Sequence, residues 1–179
     1  MSSFNISTRY ANALTEFARE KKSLEQVAED MLLMENTLSR SKELRAVLNS
    51  PVINKDKKEA VLKAIFTDKV NKVTLDFILF VNNKNRESFL FDIAKRFNQM
   101  RNEKLNRVKA EVSSTIAFSD EQKEILQNQL AEFSKKEIIA SYNIDESLIG
   151  GFTVKINDTV IDASVKQQLN KLRKSLISN

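Results

Sequence analysis

The sequence contains no cysteine, no histidine and no tryptophan. Without a thiol there is no disulfide and no cysteine nucleophile. Without an imidazole there is no His-dependent acid–base step and no Cys/His metal site. Two glycines and one proline in 179 residues leave few helix breakers, which favours a mostly helical chain with short connections. No apolar run approaches the roughly 20 residues that cross a bilayer; the longest is Phe77 to Val81. The opening stretch, MSSFNISTRYANAL, lacks the apolar core of a secretory signal and is short for a cleavable organelle peptide, so the chain is expected to stay in the compartment where it is made. What is present is enough length for one large domain or two small ones, and a charged fraction of 30% that marks a water-exposed surface. The net charge of +5 is mild for a dedicated nucleic-acid binder.

Hydrophobic spacing predicts six helices first. Asn5 or Ser7 is expected to cap the first, whose apolar face is Ile6, Tyr10, Ala13, Leu14, Phe17 and Ala18. Ser23 and Gln26 form a capping-box pattern before the second, with Leu24, Val27, Ala28, Met31, Leu32, Met34 and Leu38 inward. A short third helix carries Leu44, Val47 and Leu48 and ends before Pro51. Asn54 is expected to cap a fourth with Ala60, Val61, Ala64 and Ile65 inward. The fifth, around Val73 to Val81, leaves almost no polar face, so it is either central in a bundle or covered by something else. A sixth runs from about Glu87 to Asn106 on a stripe of Phe89, Leu90, Ile93, Ala94, Phe97, Met100 and Leu105. Leu32, Leu48, Ile65, Leu79 and Ile93 are expected in a core shared by these helices.

The period then changes. Val108, Ala110 and Val112 alternate with polar residues as in a strand. Ser119 and Gln122 form another capping box, opening a helix to about Lys136 with Ile125, Leu126, Leu130 and Phe133 inward. Glu137 to Asn143 and Phe152 to Ile156 read as strands, and Val160 to Asp162 as the return arm of a hairpin. A last helix covers about Ser164 to Ile177, with Val165, Leu169, Leu172 and Leu176 inward. The expected fold is therefore mainly α: a six-helix bundle over residues 1–106, then a small α/β module over 107–179. Residues 1–106 hold 19 basic and 14 acidic side chains, whereas 107–179 hold 10 of each, so the positive excess belongs to the helices.

Few residues suggest chemistry. Asp145 and Asp162 flank the hairpin, but Asp145 suits a turn acceptor and Asp162 suits the start of a helix. Gly150 and Gly151 lack the spacing of a phosphate loop and suit a bulge or a close strand crossing. Lys166, Lys171, Arg173 and Lys174 form a basic stretch in the last helix, with no aromatic residues beside them for stacking on bases. No catalytic, cofactor or metal set emerges. The residues alone indicate a binding protein, with a helical nucleic-acid binder, a small carboxylate enzyme and an unrelated adaptor as the competing classes.

Several stretches resemble the delta subunit of the F-type ATP synthase, the family that includes the mitochondrial oligomycin-sensitivity-conferring protein. They are Arg9-Tyr10-Ala11 with Ala13-Leu14 and Phe17-Ala18; Leu48 to Pro51 with Ile53, Lys57-Lys58 and Val61 to Phe66; and Phe77 to Asn83 with Asn85-Arg86. The most specific block is Ile144-Asp145, Leu148 to Phe152, Val154-Lys155 and Val160 to Val165, with Leu169 and Leu172 beyond it. Ala163 and Asn157 stand where the family commonly has Gly, and Glu146 where Pro is frequent. The resemblance implies a non-catalytic stator subunit without cofactor, joining the catalytic head to the peripheral stalk at the cytoplasmic face of a bacterial inner membrane. It implies that residues 1–106 take up the N-terminal helix of an alpha subunit between the first and fifth helices, and that residues 107–179 meet the b subunits. Tyr10, Ala13, Leu14, Phe17, Phe77, Ile78, Phe80 and Val81 are the expected lining of that groove. Asp145, Gly150, Gly151, Asp162 and Ser164 are expected in structural roles. Nucleic acid and a direct membrane span are not expected.

Overall fold

The computed structural model describes residues 3–177, with side chains through Lys174. The chain divides into two compact units, Met1–Arg101 and Asn102–Asn179. The first holds α1 (Ser3–Glu20), α2 (Leu24–Arg40), α3 (Lys42–Asn49), α4 (Lys55–Phe66), α5 (Lys72–Asn83) and most of α6 (Leu90–Lys104), which a 3-10 turn at Glu87–Phe89 introduces. The second holds β1 (Arg107–Ser114), α7 (Asp120–Ser134), β2 (Glu137–Ile144), β3 (Phe152–Ile156), β4 (Thr159–Asp162) and α8 (Val165–Ile177). The protein is thus mainly helical, with eight α-helices and one four-stranded sheet among the described residues. The unit border falls in the last turn of α6, a few residues before the border drawn from hydrophobic period.

In the first unit one buried cluster draws on all six helices, with Leu14, Met31, Leu38, Leu48, Leu62, Phe66, Ile78, Ile93 and Phe97 among its members. Several faces differ in detail from the expected ones. The chain is already helical at Ser3, so Asn5 and Ser7 lie inside α1, and the Ser7 hydroxyl donates back to the carbonyls of Ser3 and Phe4 at 3.0 and 3.1 Å. Ser23 precedes α2 but caps nothing. A left-handed Lys22 (φ 54°) pulls the Ser23 N–H onto the Ala18 carbonyl at 2.9 Å, leaving Ser23 at ψ 21° instead of the extended ψ a capping side chain needs. In α4 the buried row is Lys58, Leu62 and Phe66, while Ala60 and Ala64 are exposed and Val61 and Ile65 half-buried. A hydropathy reading misses that row because it begins with a lysine. The Lys58 ammonium donates to the Leu48 carbonyl at 2.9 Å and pairs with Glu87 at 2.6 Å, which satisfies a charge that would otherwise be costly to bury. Leu32 and Leu105 are exposed, and Leu79 is only half-buried. Asn54, Ser41 and the Ser50–Pro51 stop act as helix punctuation.

In the second unit the strand order is β2-β1-β3-β4. β1 and β2 are parallel and joined through α7, in register Val108↔Ile138 and Val112↔Tyr142. β1 and β3 are antiparallel, as are β3 and β4. Val108, Ala110, Val112, Val154 and Ile156 share a core with Leu126 and Leu130 of α7, so the helix packs on the face that alternation assigns to the interior. Ser119 and Gln122 form a complete capping box at the start of α7. Ile125 and Phe133 of α7 are exposed, because a single helix on one face buries only a narrow row. Val165, Leu169 and Leu172 of α8 are also exposed, and Leu176 lies outside the described side chains. With glycine scarce, Lys22, Asn85, Asn106, Lys135 and Asn157 take the left-handed conformations between elements.

Candidate partner-binding groove

The first unit carries an apolar groove of about 600 Å³ between α1 and α5. Its walls are Arg9, Tyr10, Ala13, Leu14 and Phe17 from α1, and Asp76, Phe77 and Phe80 from α5. α5 is held at its start by capping and by an interhelical carboxylate. The Asn71 side chain accepts from the Val73 N–H at 2.9 Å, and buried Asp30 of α2 accepts from the Asn71 N–H at 2.8 Å and the Thr74 hydroxyl at 2.6 Å. A helix anchored this way has a defined rotation. Thr74, Phe77, Ile78, Val81 and Asn82 face the core, and Phe80 stands out of it, 48% exposed. On α1, Ile6, Ser7, Ala11, Leu14 and Ala18 face inward, which turns Ala13 and Phe17 outward. The floor is set by Tyr10 and Phe77, whose rings meet edge to face with centroids 6.4 Å apart.

Of the eight lining residues expected from the sequence, Tyr10, Ala13, Leu14, Phe17, Phe77 and Phe80 are brought together here. Ile78 and Val81 are not. Both are fully buried in the core, one step of about 100° around the helix from Phe77 and Phe80. Val81 is accordingly a stability residue, and a charge placed there would test folding instead of docking. Arg9 and Asp76 were absent from the expected set. Their signal was positional: Arg9 lies four residues before Ala13, and Asp76 four before Phe80.

The glycine and aspartate positions form two tight turns in the second unit. Asp145 Oδ1 accepts from the Ser147 N–H at 3.0 Å and from its hydroxyl at 2.6 Å. Asp162 Oδ1 accepts from the Ser164 N–H at 2.9 Å, and Ser164 Oγ in turn accepts from the Gln167 N–H at 3.2 Å. Ser164 is thus the cap of α8, and Asp162 braces the turn before it. Hydrogen bonding from Ser147 and from Ser164, hydroxyl first and backbone second, holds the two carboxyls below the ordinary aspartate range. Gly151 has φ +77°, and a Cβ there would sit 2.5 Å from the Ala163 carbonyl oxygen. The Ala163 N–H donates to Phe152 O and the Val165 N–H to Gly150 O, both at 3.0 Å, so these two stretches run side by side. Each aspartate is engaged in its own turn. Among the described residues no group of three or more His, Cys, Asp or Glu could hold a metal, and no helix is long and apolar enough to cross a membrane.

The groove is apolar apart from one basic and one acidic side chain on its walls, Arg9 and Asp76, and a surface of that kind marks the class of binding subunits. The family model described as ATP synthase delta (OSCP) subunit matches residues 6–176. The chain is 44% identical over 178 residues to the ATP synthase subunit delta of Chlorobaculum tepidum, covering 99% of this chain and 98% of that one. It is 42% identical to that of Chlorobaculum parvum, with the same coverage, and 36% identical over 173 residues to that of Desulforamulus reducens, covering 97% and 96%. A chain in the cryo-EM structure of the Toxoplasma gondii mitochondrial ATP synthase hexamer shares the fold, with a TM-score of 0.69 at 23% identity over 96% of this chain and 97% of that one. The chain belongs to the ATP synthase delta (OSCP) subunit family. It is a non-catalytic stator subunit of the F-type ATP synthase, joining the catalytic head to the peripheral stalk.

Proposed function

We propose that the groove between α1 and α5 takes up the N-terminal helix of an alpha subunit, and that the second unit meets the b subunits. In this reading α1 to α6 act as one six-helix bundle whose open face is the groove. The observation that carries it is the groove itself, where Phe17 and Phe80 stand 40% and 48% exposed beside the small Ala13. Apolar rings left in water around a small residue suit a facing amphipathic helix, which approaches closely over the alanine and gains most of its contact area from the aromatics. The second unit offers exposed apolar side chains of its own, including Ile149, Val160 and Leu169, and a basic α8. A stator has to resist rotor torque, so broad persistent contacts serve it where reactive groups would not. In this reading its work lies at the cytoplasmic face of a bacterial inner membrane, peripheral through the complex, and the bacterial source of the relatives supports that.

Ala13→Asp tests the groove. Ala13 is exposed, so the variant is expected to fold. A carboxylate set against apolar surface is expected to weaken binding of an alpha-subunit N-terminal peptide by about 2 kcal/mol or more, roughly 30-fold. Unchanged affinity in a titration of the folded variant, together with unchanged affinity for Phe80→Ala, would remove the groove from the interface.

A further inference from the structure

We infer that the helix taken up by this groove carries acidic side chains beside its apolar stripe, and that Lys21 and Lys84 select for them. The inference rests on the docking role proposed above and adds the charge pattern of the partner. Its origin is the placement of two ammonium groups. Lys21 Nζ lies over the Phe17 ring, 5.6 Å from its centroid, and Lys84 Nζ lies over the Phe80 ring at the same distance. These are the two exposed phenylalanines of the groove. Each lysine follows its phenylalanine by four residues, one helical turn, and stands one residue beyond the C-terminal end of its helix, where free carbonyls favour a cation.

A partner helix that covers Phe17 and Phe80 has to bring its own surface against both ammonium groups. Among the described residues neither lysine is engaged in an ion pair, and the side-chain contact each makes is with its ring. An ammonium pressed against an apolar partner loses water and gains nothing, whereas one that meets a carboxylate is compensated. Lysine is suited to this because its long stem lies along the ring while the charge reaches outward. The other charges on the groove wall, Arg9 and Asp76, are one of each sign. Of the two side chains a turn beyond Phe17, Glu20 and Lys21, the lysine is the one over the ring. The sign presented beside the aromatic wall is therefore positive. A basic or neutral helix with the same apolar stripe would fit the shape and meet the wrong charge.

The test uses the full chain and three synthetic amphipathic peptides with one shared apolar stripe, flanked by Glu, by Gln or by Lys. Binding is read by fluorescence anisotropy at low and high salt. The Glu peptide is expected to bind about 5- to 10-fold more tightly than the Gln peptide and the Lys peptide more weakly than both, with the spread narrowing in high salt. In Lys21→Gln/Lys84→Gln the gap between Glu and Gln peptides should shrink to about twofold or less while the Gln affinity holds. Equal affinities for the three peptides on the native chain would overturn the charge selection and leave the docking groove standing. A Glu preference that survives the double substitution would also overturn it, by moving the selection to other residues. Binding of none of the three would bring down the docking reading and this inference with it.

Discussion

Gly151 shows how much one residue can decide. Its φ of +77° is unfavourable for any side chain, and the Ala163 carbonyl occupies the space a Cβ would need. Gly151→Ala is expected to destabilise the second unit by about 2–3 kcal/mol, read by urea denaturation. At Gly150 the added Cβ would meet only the Val165 Cγ2 methyl at 3.0 Å, so Gly150→Ala should lose about 1 kcal/mol or less. Equal losses at the two positions would contradict this assignment. Asp162 carries a pH signature. Its folded carboxyl titrates below the ordinary value, so its contribution is complete above about pH 4 and is lost as the pH falls through the lower folded value. Acid destabilisation of the native chain should therefore steepen below about pH 4, and Asp162→Asn should flatten that limb. An acid limb identical in the variant would assign the effect elsewhere.

At the scale of elements, burial and apolar spacing part company. Leu130 and Leu169 both sit on apolar helix stripes, yet Leu130 is 5% exposed in α7 and Leu169 is 53% exposed in α8. Leu130→Ala is expected to cost about 2–4 kcal/mol, and Leu169→Ala under about 1 kcal/mol, in thermal or chemical unfolding of the chain. A large loss at Leu169 would mean that α8 is packed. α5 illustrates the same limit from the other side. Its sequence leaves two readings, a central helix or a covered one. The Asp30 carboxylate at its first turn fixes its rotation, so that Ile78 and Val81 are core while Phe80 is wall. Nothing in the spacing of seven nearly continuous apolar residues distinguishes those roles. α4 departs from its apolar spacing for the opposite reason, since its inward row starts at a lysine that a distant glutamate neutralises.

For the whole molecule, the first unit has the larger core and draws it from six helices, all within residues 1–106. An isolated fragment 1–106 is expected to melt cooperatively when followed by circular dichroism. The fragment 107–179 should melt at lower temperature, because a shorter chain buries a smaller fraction of its surface. Non-cooperative melting of 1–106 would show that its core is incomplete alone. Charge follows the same division, with the whole excess of +5 in residues 1–106. That excess matters for docking and not for fold.

The sequence by itself determined the element order, the change of period after residue 106, and the absence of cysteine and histidine. Each of these depends on local spacing or on residue types that are simply present or missing. Four of the groove residues were legible for the same reason, since helical period puts Tyr10, Ala13, Leu14 and Phe17 on one side of α1 whatever they meet. The tertiary structure alone decided which way α5 is turned, that Ser23 caps nothing while Ser119 does, and that Lys58 is buried. Those outcomes depend on hydrogen bonds and contacts between residues far apart in the chain, or on the conformation a turn takes, and no periodicity within one helix carries that information.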